Sequence, residues 1–129
     1  MPADESSNKK AIIVVEDTQQ IGELIKETLN DEPDYQAVVV RDGALALEVI
    51  RSVKASLILL DLNIPGIQGL ELYDMLQADE TTRDIPVIFI TANYEDPEFK
   101  VRKYKNYIAK PFSLDELLDR VAAVCRTQE

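Results

Sequence analysis

The chain contains no histidine, no tryptophan and only one cysteine among its 129 residues. The absence of histidine excludes histidine-based catalytic triads, histidine metal ligands and histidine phosphodonors. The single cysteine, Cys125, cannot form a disulfide within the chain, and its count fits a reducing compartment. Because Cys125 continues the apolar spacing of a predicted helix, we expect a core residue rather than a reactive thiol.

Positive charge is also scarce. Lys and Arg total 14 residues against 24 Asp and Glu, which gives a net charge of −10. Nucleic acids and anionic membranes attract basic surfaces, so this balance predicts a protein that binds neither. No apolar run approaches the roughly 18 residues of a membrane span, and the start lacks the apolar stretch of a signal peptide. We therefore expect a cytoplasmic protein.

The length of the chain suits one domain. Hydrophobic residues make up 46% of it, which is enough to build a core. The sequence shows neither an internal repeat nor a linker. We predict a disordered polar tail at 1–9, a folded domain at 10–126 and a short tail at 127–129.

Short apolar runs recur along the chain, at 11–15, 57–60 and 87–90. Unbroken runs of this length are typical of strands that are covered on both faces. Two further strands are predicted at 35–40 and, more briefly, at 107–109.

Helical spacing of apolar residues separates these strands, most clearly at 21–29 and 114–125. Ser113 and Glu116 form a capping box for the last helix. The fourth helix is the weak one, because the apolar residues after Asp96-Pro97 lose helical spacing. Strands that alternate with helices predict an α/β fold, a doubly wound parallel sheet with helices on both faces.

Reactive side chains follow the predicted strands. Glu16 and Asp17 follow the first strand and Asp61 the third, while Thr91 ends the fourth and Lys110 follows the fifth. A single aspartate at a strand end is usually a turn former or a helix cap. The carboxyl ends of parallel strands share one edge, however, so these five groups are expected to meet.

Three carboxylates that lie close together repel one another unless a cation neutralises them. The two available cations are the Lys110 ammonium and a hard divalent ion with oxygen ligands, most plausibly Mg²⁺. Such a set suits a phosphoryl group, whose transfer depends on positioning and charge neutralisation. Aspartate can act as the covalent nucleophile for phosphate.

The chain resembles the receiver domains of response regulators, the CheY-like family. The segments that carry the resemblance are IIVVEDT at 12–18, LILLDLNIPGIQGLEL at 57–72, VIFITAN at 87–93 and YIAKPF at 107–112. The resemblance implies a flavodoxin-like fold, with a five-stranded sheet in the order 2-1-3-4-5.

The resemblance also implies chemical roles. Asp61 is the expected phosphoacceptor, Lys110 its ion-pair partner and Thr91 the hydroxyl that turns to the phosphoryl oxygens. Tyr107 is the expected aromatic switch that follows Thr91, although it could be an ordinary half-buried strand residue. The Lys110-Pro111 peptide is expected to be cis.

The implied metal site uses oxygen ligands only. Asp17 and Asp61 would bind Mg²⁺, Glu16 would act at least partly through water, and Asn63 would supply its backbone carbonyl. Asn63 and Asn93 flank this pocket, where they either tune attack by water on the acyl phosphate or serve as loop formers.

The expected function is that of a stand-alone response regulator in a two-component system or phosphorelay. It would take a phosphoryl group from a phosphohistidine on a sensor histidine kinase or a histidine phosphotransfer protein. It would then signal by contact with an unknown downstream protein or by onward transfer. We classify it as a signalling phosphoacceptor and not as an enzyme.

Three alternatives stay open. An aspartate-nucleophile phosphohydrolase needs a second aspartate where Asn63 stands. A flavin-binding relative needs a phosphate loop where Glu16 and Asp17 stand. A receiver-like interaction module that is not phosphorylated has no support at the five key positions.

The segment before the last strand departs from the family pattern. KYKN at 103–106 replaces a turn of small residues, and Thr91 and Lys110 lie 19 positions apart, which is a few fewer than usual. We therefore expect a short or irregular fourth helix. A basic cluster lies in the same stretch and is either a solvated face or a docking surface for an acidic partner: Lys100, Arg102, Lys103 and Lys105.

Overall fold

Five parallel strands alternate with five helices in the computed structural model, which describes residues 9–126. Of the predicted tails, only Lys9 lies within the described residues. No helix in this range is both long and apolar enough to cross a membrane. In chain order the elements are β1 (Lys10–Val15), α1 (Gln19–Asn30), β2 (Tyr35–Val40), α2 (Gly43–Ser52), β3 (Leu57–Asp61), α3 (Gly69–Ala78), β4 (Val87–Thr91), α4 (Pro97–Arg102), β5 (Tyr107–Ala109) and α5 (Leu114–Arg126).

The strands form one parallel sheet in the order β2-β1-β3-β4-β5, which confirms the predicted topology. The register aligns their carboxyl ends. Val15 at the end of β1 lies opposite Val40 of β2 and Leu60 of β3. Thr91 at the end of β4 lies opposite Ala109 of β5. Residues that are remote in the chain therefore meet at one edge of the sheet.

The sheet is covered on both faces, which explains its unbroken apolar runs. Ile12 and Val14 of β1 pack in the layer under α1 and α5, whereas Ile13 and Val15 pack in the layer under α2, α3 and α4. Cys125 is buried in the first of these layers, as the spacing predicts.

Helix α4 has only six residues, which confirms the expectation of a short fourth helix. It begins where the Asp96 side chain accepts a hydrogen bond of 3.1 Å from the Phe99 amide. It ends at Lys103, which has a left-handed backbone with φ of 57°. Phe99 is its only buried residue, and Val101 is 70% exposed.

Aromatic packing holds this short segment on the sheet. Tyr104, the residue after the helix end, lies with its ring centroid 4.6 Å from Phe89, 5.2 Å from Tyr73 and 5.5 Å from Phe99. Ring contacts of this kind stabilise the segment. Tyr104 of the KYKN segment is therefore half-buried and packs against the core.

Ion pairs complete the attachment of α4. The Arg102 guanidinium donates to both carboxylate oxygens of Asp74 in α3, at 2.7 and 3.0 Å, and to Glu98 at 2.8 Å. Lys100 pairs with Glu95 at 3.0 Å. Two of the four cations in the basic cluster are thus bound to carboxylates of the same chain.

We expect Phe99→Ala to lower the free energy of unfolding by about 3 kcal/mol, because it empties a buried ring site. Val101→Ala in the same helix is the matched control and should change stability by less than about 0.5 kcal/mol. Urea unfolding followed by circular dichroism measures both. Equal effects of the two substitutions would show that α4 is not anchored by its aromatic side.

Candidate functional site

One ammonium group and two carboxylates form the centre of the site. The Lys110 Nζ donates to Asp61 Oδ2 at 2.9 Å and to Glu16 Oε1 at 3.0 Å. The side chains are 16% exposed for Lys110, 8% for Asp61 and 2% for Glu16. Three groups from the ends of three strands, as predicted, therefore share one largely buried pocket.

The sheet places each of these groups through its backbone. The Glu16 amide donates to the carbonyl of Val40 at 3.0 Å, and the Lys110 amide donates to the carbonyl of Thr91 at 3.0 Å. Both hydrogen bonds continue the strand ladders by one residue, so the side chains project from a fixed edge. The Lys110-Pro111 peptide is cis, as the resemblance implies.

The second oxygen of each carboxylate is also bound. Glu16 Oε2 accepts from the Thr18 amide at 3.1 Å, and Asp61 Oδ1 accepts from the Asn63 amide at 3.1 Å. Among residues 9–126, no buried side-chain polar atom lacks a hydrogen-bond partner. Each carboxylate is thus oriented by an ammonium on one side and by the following loop on the other.

Burial and the neighbouring charge of Asp61 raise the pKa of Glu16 above its ordinary value of 4.5. Burial alone would lower the pKa of Lys110, but its hydrogen bonds to Asp61 and Glu16 outweigh burial and the net shift is upward. Lys110 therefore stays charged, and Glu16 resists ionisation.

Asp17 lies beside this centre but is exposed to solvent. No group of three or more acidic or cysteine side chains within residues 9–126 is arranged to enclose a metal ion by itself. Mg²⁺ does not need such a group, because it takes one or two carboxylates and keeps several waters. Three carboxylates against one ammonium leave a charge of two negatives, which a divalent cation neutralises. The donor set therefore fits Mg²⁺.

Thr91 and Tyr107 occupy the neighbouring strand ends. Thr91 is buried, and its hydroxyl oxygen accepts a hydrogen bond of 2.8 Å from the amide of Asn93. Tyr107 is half-buried; its ring stacks on Tyr94 with centroids 6.3 Å apart and meets Phe99 edge-on at 5.4 Å. The Thr91 hydroxyl is thus engaged with its own loop.

The two asparagines flank the site. Asn63 and Asn93 line one groove of about 350 Å³, which opens between the loops that follow β3 and β4. Both residues are exposed. The two roles expected of the asparagines stay predictions.

The loop after β2 also belongs to the site, which the sequence analysis missed. Arg41 donates from Nη2 to the backbone carbonyl of Asp17 at 3.3 Å. Two residues later, the Gly43 amide donates to the carbonyl of Pro65 at 2.9 Å. A Cβ at Gly43 would lie 2.0 Å from the Ile67 carbonyl oxygen. The only signal for this contact was the glycine itself, which an ordinary turn explains equally well.

Known proteins share this sequence pattern. The family profile of the response regulator receiver domain matches residues 12–122. The chain is 39% identical over 121 residues to the phosphate regulon transcriptional regulatory protein PhoB of Pseudomonas aeruginosa, with 91% of the chain and 52% of that protein covered. It is 31% identical over 124 residues to the DNA-binding response regulator MtrA of Mycolicibacterium smegmatis, with 94% and 53% covered. The chain spans about half the length of these relatives.

Solved structures share the fold. The receiver domain of the Francisella response regulator 1452 matches with a TM-score of 0.81 and 26% identity, over 94% of this chain and all of that one. The receiver domain of the sensor histidine kinase PA1611 from Pseudomonas aeruginosa matches with a TM-score of 0.78 and 27% identity, over 92% and 98%. The latter structure holds a magnesium ion in its active-site cleft.

The prediction that the protein has no nucleic-acid partner is wrong. MtrA is a DNA-binding response regulator and PhoB is a transcriptional regulatory protein. The prediction failed because the charge of −10 describes only this sequence, whereas about half of each relative lies outside the matched part. For the same reason, these relatives do not support the expectation of a stand-alone domain.

We expect Lys110→Met to lower the free energy of unfolding by about 3 kcal/mol at pH 7, because two buried carboxylates lose their cation. The difference in the free energy of unfolding between the wild type and Lys110→Met should shrink as the pH falls towards 5. The pKa of Glu16 is already raised, and protonation removes the repulsion that the variant suffers while it weakens the wild-type ion pair.

Urea unfolding at several pH values measures this difference. Lys26→Met is the control, since Lys26 forms only an exposed pair with Glu23 at 3.9 Å and should change stability by less than about 0.5 kcal/mol. A Lys110→Met deficit that stays constant with pH would contradict the charge argument.

Proposed function

Since this chain belongs to the receiver-domain family of the response regulators of two-component systems, we propose that it accepts a phosphoryl group on Asp61. The observation that carries this proposal is the Lys110 ammonium, held 2.9 Å from Asp61 and 3.0 Å from Glu16 at the carboxyl edge of the sheet. Such a pocket holds a carboxylate nucleophile next to a cation that can receive the charge of a phosphoryl group.

The proposed reaction is a transfer from a phosphohistidine of a sensor histidine kinase or a phosphotransfer protein. An oxygen of Asp61 forms a bond to phosphorus while the phosphorus–nitrogen bond breaks, and the histidine leaves with the bonding electron pair. The product is an acyl phosphate on Asp61. Lys110 keeps its proton throughout, because its pKa is raised by its two carboxylate partners.

We assign Mg²⁺ to this site, held by Asp17, Asp61 and the backbone carbonyl of Asn63, with Glu16 acting through water. When bound, the ion neutralises charge on the phosphoryl oxygens. The protein supplies the rest: it orients the Asp61 oxygens through Lys110 and the Asn63 amide, and it orients Glu16 through Lys110 and the Thr18 amide.

The proposed switch begins at Thr91. Its hydroxyl oxygen now accepts from the Asn93 amide at 2.8 Å, a bond that does not use the hydroxyl proton. The side chain would turn so that this proton reaches a phosphoryl oxygen, and the turn would move the hydroxyl oxygen away from the Asn93 amide. The loop between β4 and α4 would then rearrange. Tyr107, which touches Tyr94 of that loop and Phe99 of α4, would follow. Phosphorylation thus biases a two-state element.

The protein is a signalling phosphoacceptor. We propose that it catalyses its own phosphorylation and slowly hydrolyses the product. Asn63, which stands where a phosphohydrolase needs a second aspartate, cannot exchange protons in that role. A cytoplasmic location is part of this proposal, because the phosphohistidine donors of two-component systems face the cytoplasm.

We expect phosphoramidate with Mg²⁺ to add one base-labile phosphoryl group to the wild-type protein and none to Asp61→Asn, which lacks the nucleophilic carboxylate. Intact mass spectrometry at neutral pH measures the labelling. Asp84→Asn removes an exposed aspartate before β4, at the opposite edge of the sheet, and should label like the wild type. Labelling of Asp61→Asn at the wild-type level would refute the assignment of the phosphoacceptor.

A further inference from the structure

The two loops that carry the acidic groups are linked by the residues that follow β2. Asp17 lies in the loop after β1, and Pro65 lies in the loop after Asp61. Arg41, in the loop after β2, donates to the Asp17 carbonyl at 3.3 Å, and Gly43, the first residue of α2, donates to the Pro65 carbonyl at 2.9 Å. Residues 41–43 therefore contact both loops.

The contact on the Pro65 side is close. A Cβ at Gly43 would clash with the backbone oxygen of Ile67, so the start of α2 approaches the loop after Asp61 as closely as a glycine allows. The Asp42 side chain, between Arg41 and Gly43, caps α2 by accepting from the Leu45 amide at 2.9 Å. Arg41 therefore reaches Asp17 from a segment that is hydrogen-bonded to α2 and to the loop after Asp61.

The guanidinium of Arg41 has no ion-pair partner in the part of the chain that the structure describes. Its hydrogen bond goes to a backbone carbonyl, the group that fixes the conformation of a loop. The side chain of Asp17 is exposed, and Asp17 is the only carboxylate proposed for the metal that Lys110 does not hold.

We propose that Arg41 is a positioning residue of the phosphoacceptor site, which sets the spacing between the Asp17 loop and the Asp61 loop and so prepares Asp17 for Mg²⁺. This inference rests on the proposed function. Arg41 touches neither the phosphoryl group nor Asp61, and it acts through the Asp17 backbone.

The sign of the change in Mg²⁺ affinity when Arg41 is replaced distinguishes a positioning role from a purely electrostatic effect. A positive charge near a divalent site repels the ion, so removal of a bystander cation would leave Mg²⁺ binding equal or tighter. Removal of a positioning residue frees the Asp17 loop, and the ion must then order it. Positioning therefore predicts weaker binding when Arg41 is replaced.

The test is a titration of the full chain with Mg²⁺ alone, at fixed ionic strength, followed by the amide NMR signals of Asp17 and Asp61. We expect Arg41→Gln to weaken binding about threefold to tenfold, the range of one hydrogen bond. The matched control is Arg83→Gln, an equal change of charge at an exposed position before β4, and it should stay within about twofold of the wild type.

A second measurement uses phosphoramidate labelling. At saturating Mg²⁺ the labelling rate of Arg41→Gln should return to within about twofold of the wild type, because only preparation of the metal site is impaired. Unchanged or tighter Mg²⁺ binding by Arg41→Gln overturns the inference, and so does a labelling defect that persists at saturation. If the wild-type protein neither binds Mg²⁺ nor labels Asp61, the proposed function fails as well.

Discussion

The three-way contact of Lys110 with Asp61 and Glu16 is the interaction on which the site depends. Two carboxylates that are at least nine-tenths buried cannot both stay ionised without a cation. The ammonium satisfies one oxygen of each, and backbone amides of the following loops satisfy the others. This arrangement explains why the pKa of Glu16 is raised by burial and by Asp61 even though Lys110 is present. Binding of one more cation or of one phosphoryl group would therefore change which of these contacts to Asp61 and Glu16 are favoured.

The parallel sheet makes this contact possible, because its register brings together groups that are 49 and 94 positions apart in the chain. Glu16 after β1 and Lys110 after β5 are each held at this edge by one further ladder hydrogen bond, and Asp61 is the last residue of β3. The apolar runs that build the strands are therefore also the reason for the position of the charges. A shift of β3 or β5 by one residue in register would turn Asp61 or Lys110 to the opposite face of the sheet, and the site would lose that group.

The sequence was sufficient to predict the strands, the order of elements and the residues that meet at the edge. Strands that are buried on both faces appear in the sequence as unbroken apolar runs. A reactive residue directly after such a run is expected at the carboxyl edge of the sheet. The contacts of Arg41 and Gly43 were not predictable, because each joins a side chain or an amide to a backbone carbonyl of a distant loop. The composition and the hydrophobic periodicity of the sequence do not predict such contacts. The packing of Tyr104 against Phe89 was not predictable either, because Tyr104 lies beyond the end of α4.

Counting charges is a poor guide to binding partners, for one physical reason. The total charge of −10 predicts no nucleic-acid binding, although relatives of about twice this length include a DNA-binding regulator. A docking role of the basic cluster around α4 stays a prediction, and within that cluster Arg102 is bound by Asp74 and Glu98 and is not displayed as an isolated cation. A partner responds to the field at one surface, and that field is set by which charges are paired and by what the rest of the polypeptide contributes. At the carboxyl edge of the sheet the pairing is also local: Lys110 binds Asp61 and Glu16, whereas Asp17 is exposed, and this excess of carboxylates over ammonium is the feature that fits a cation there.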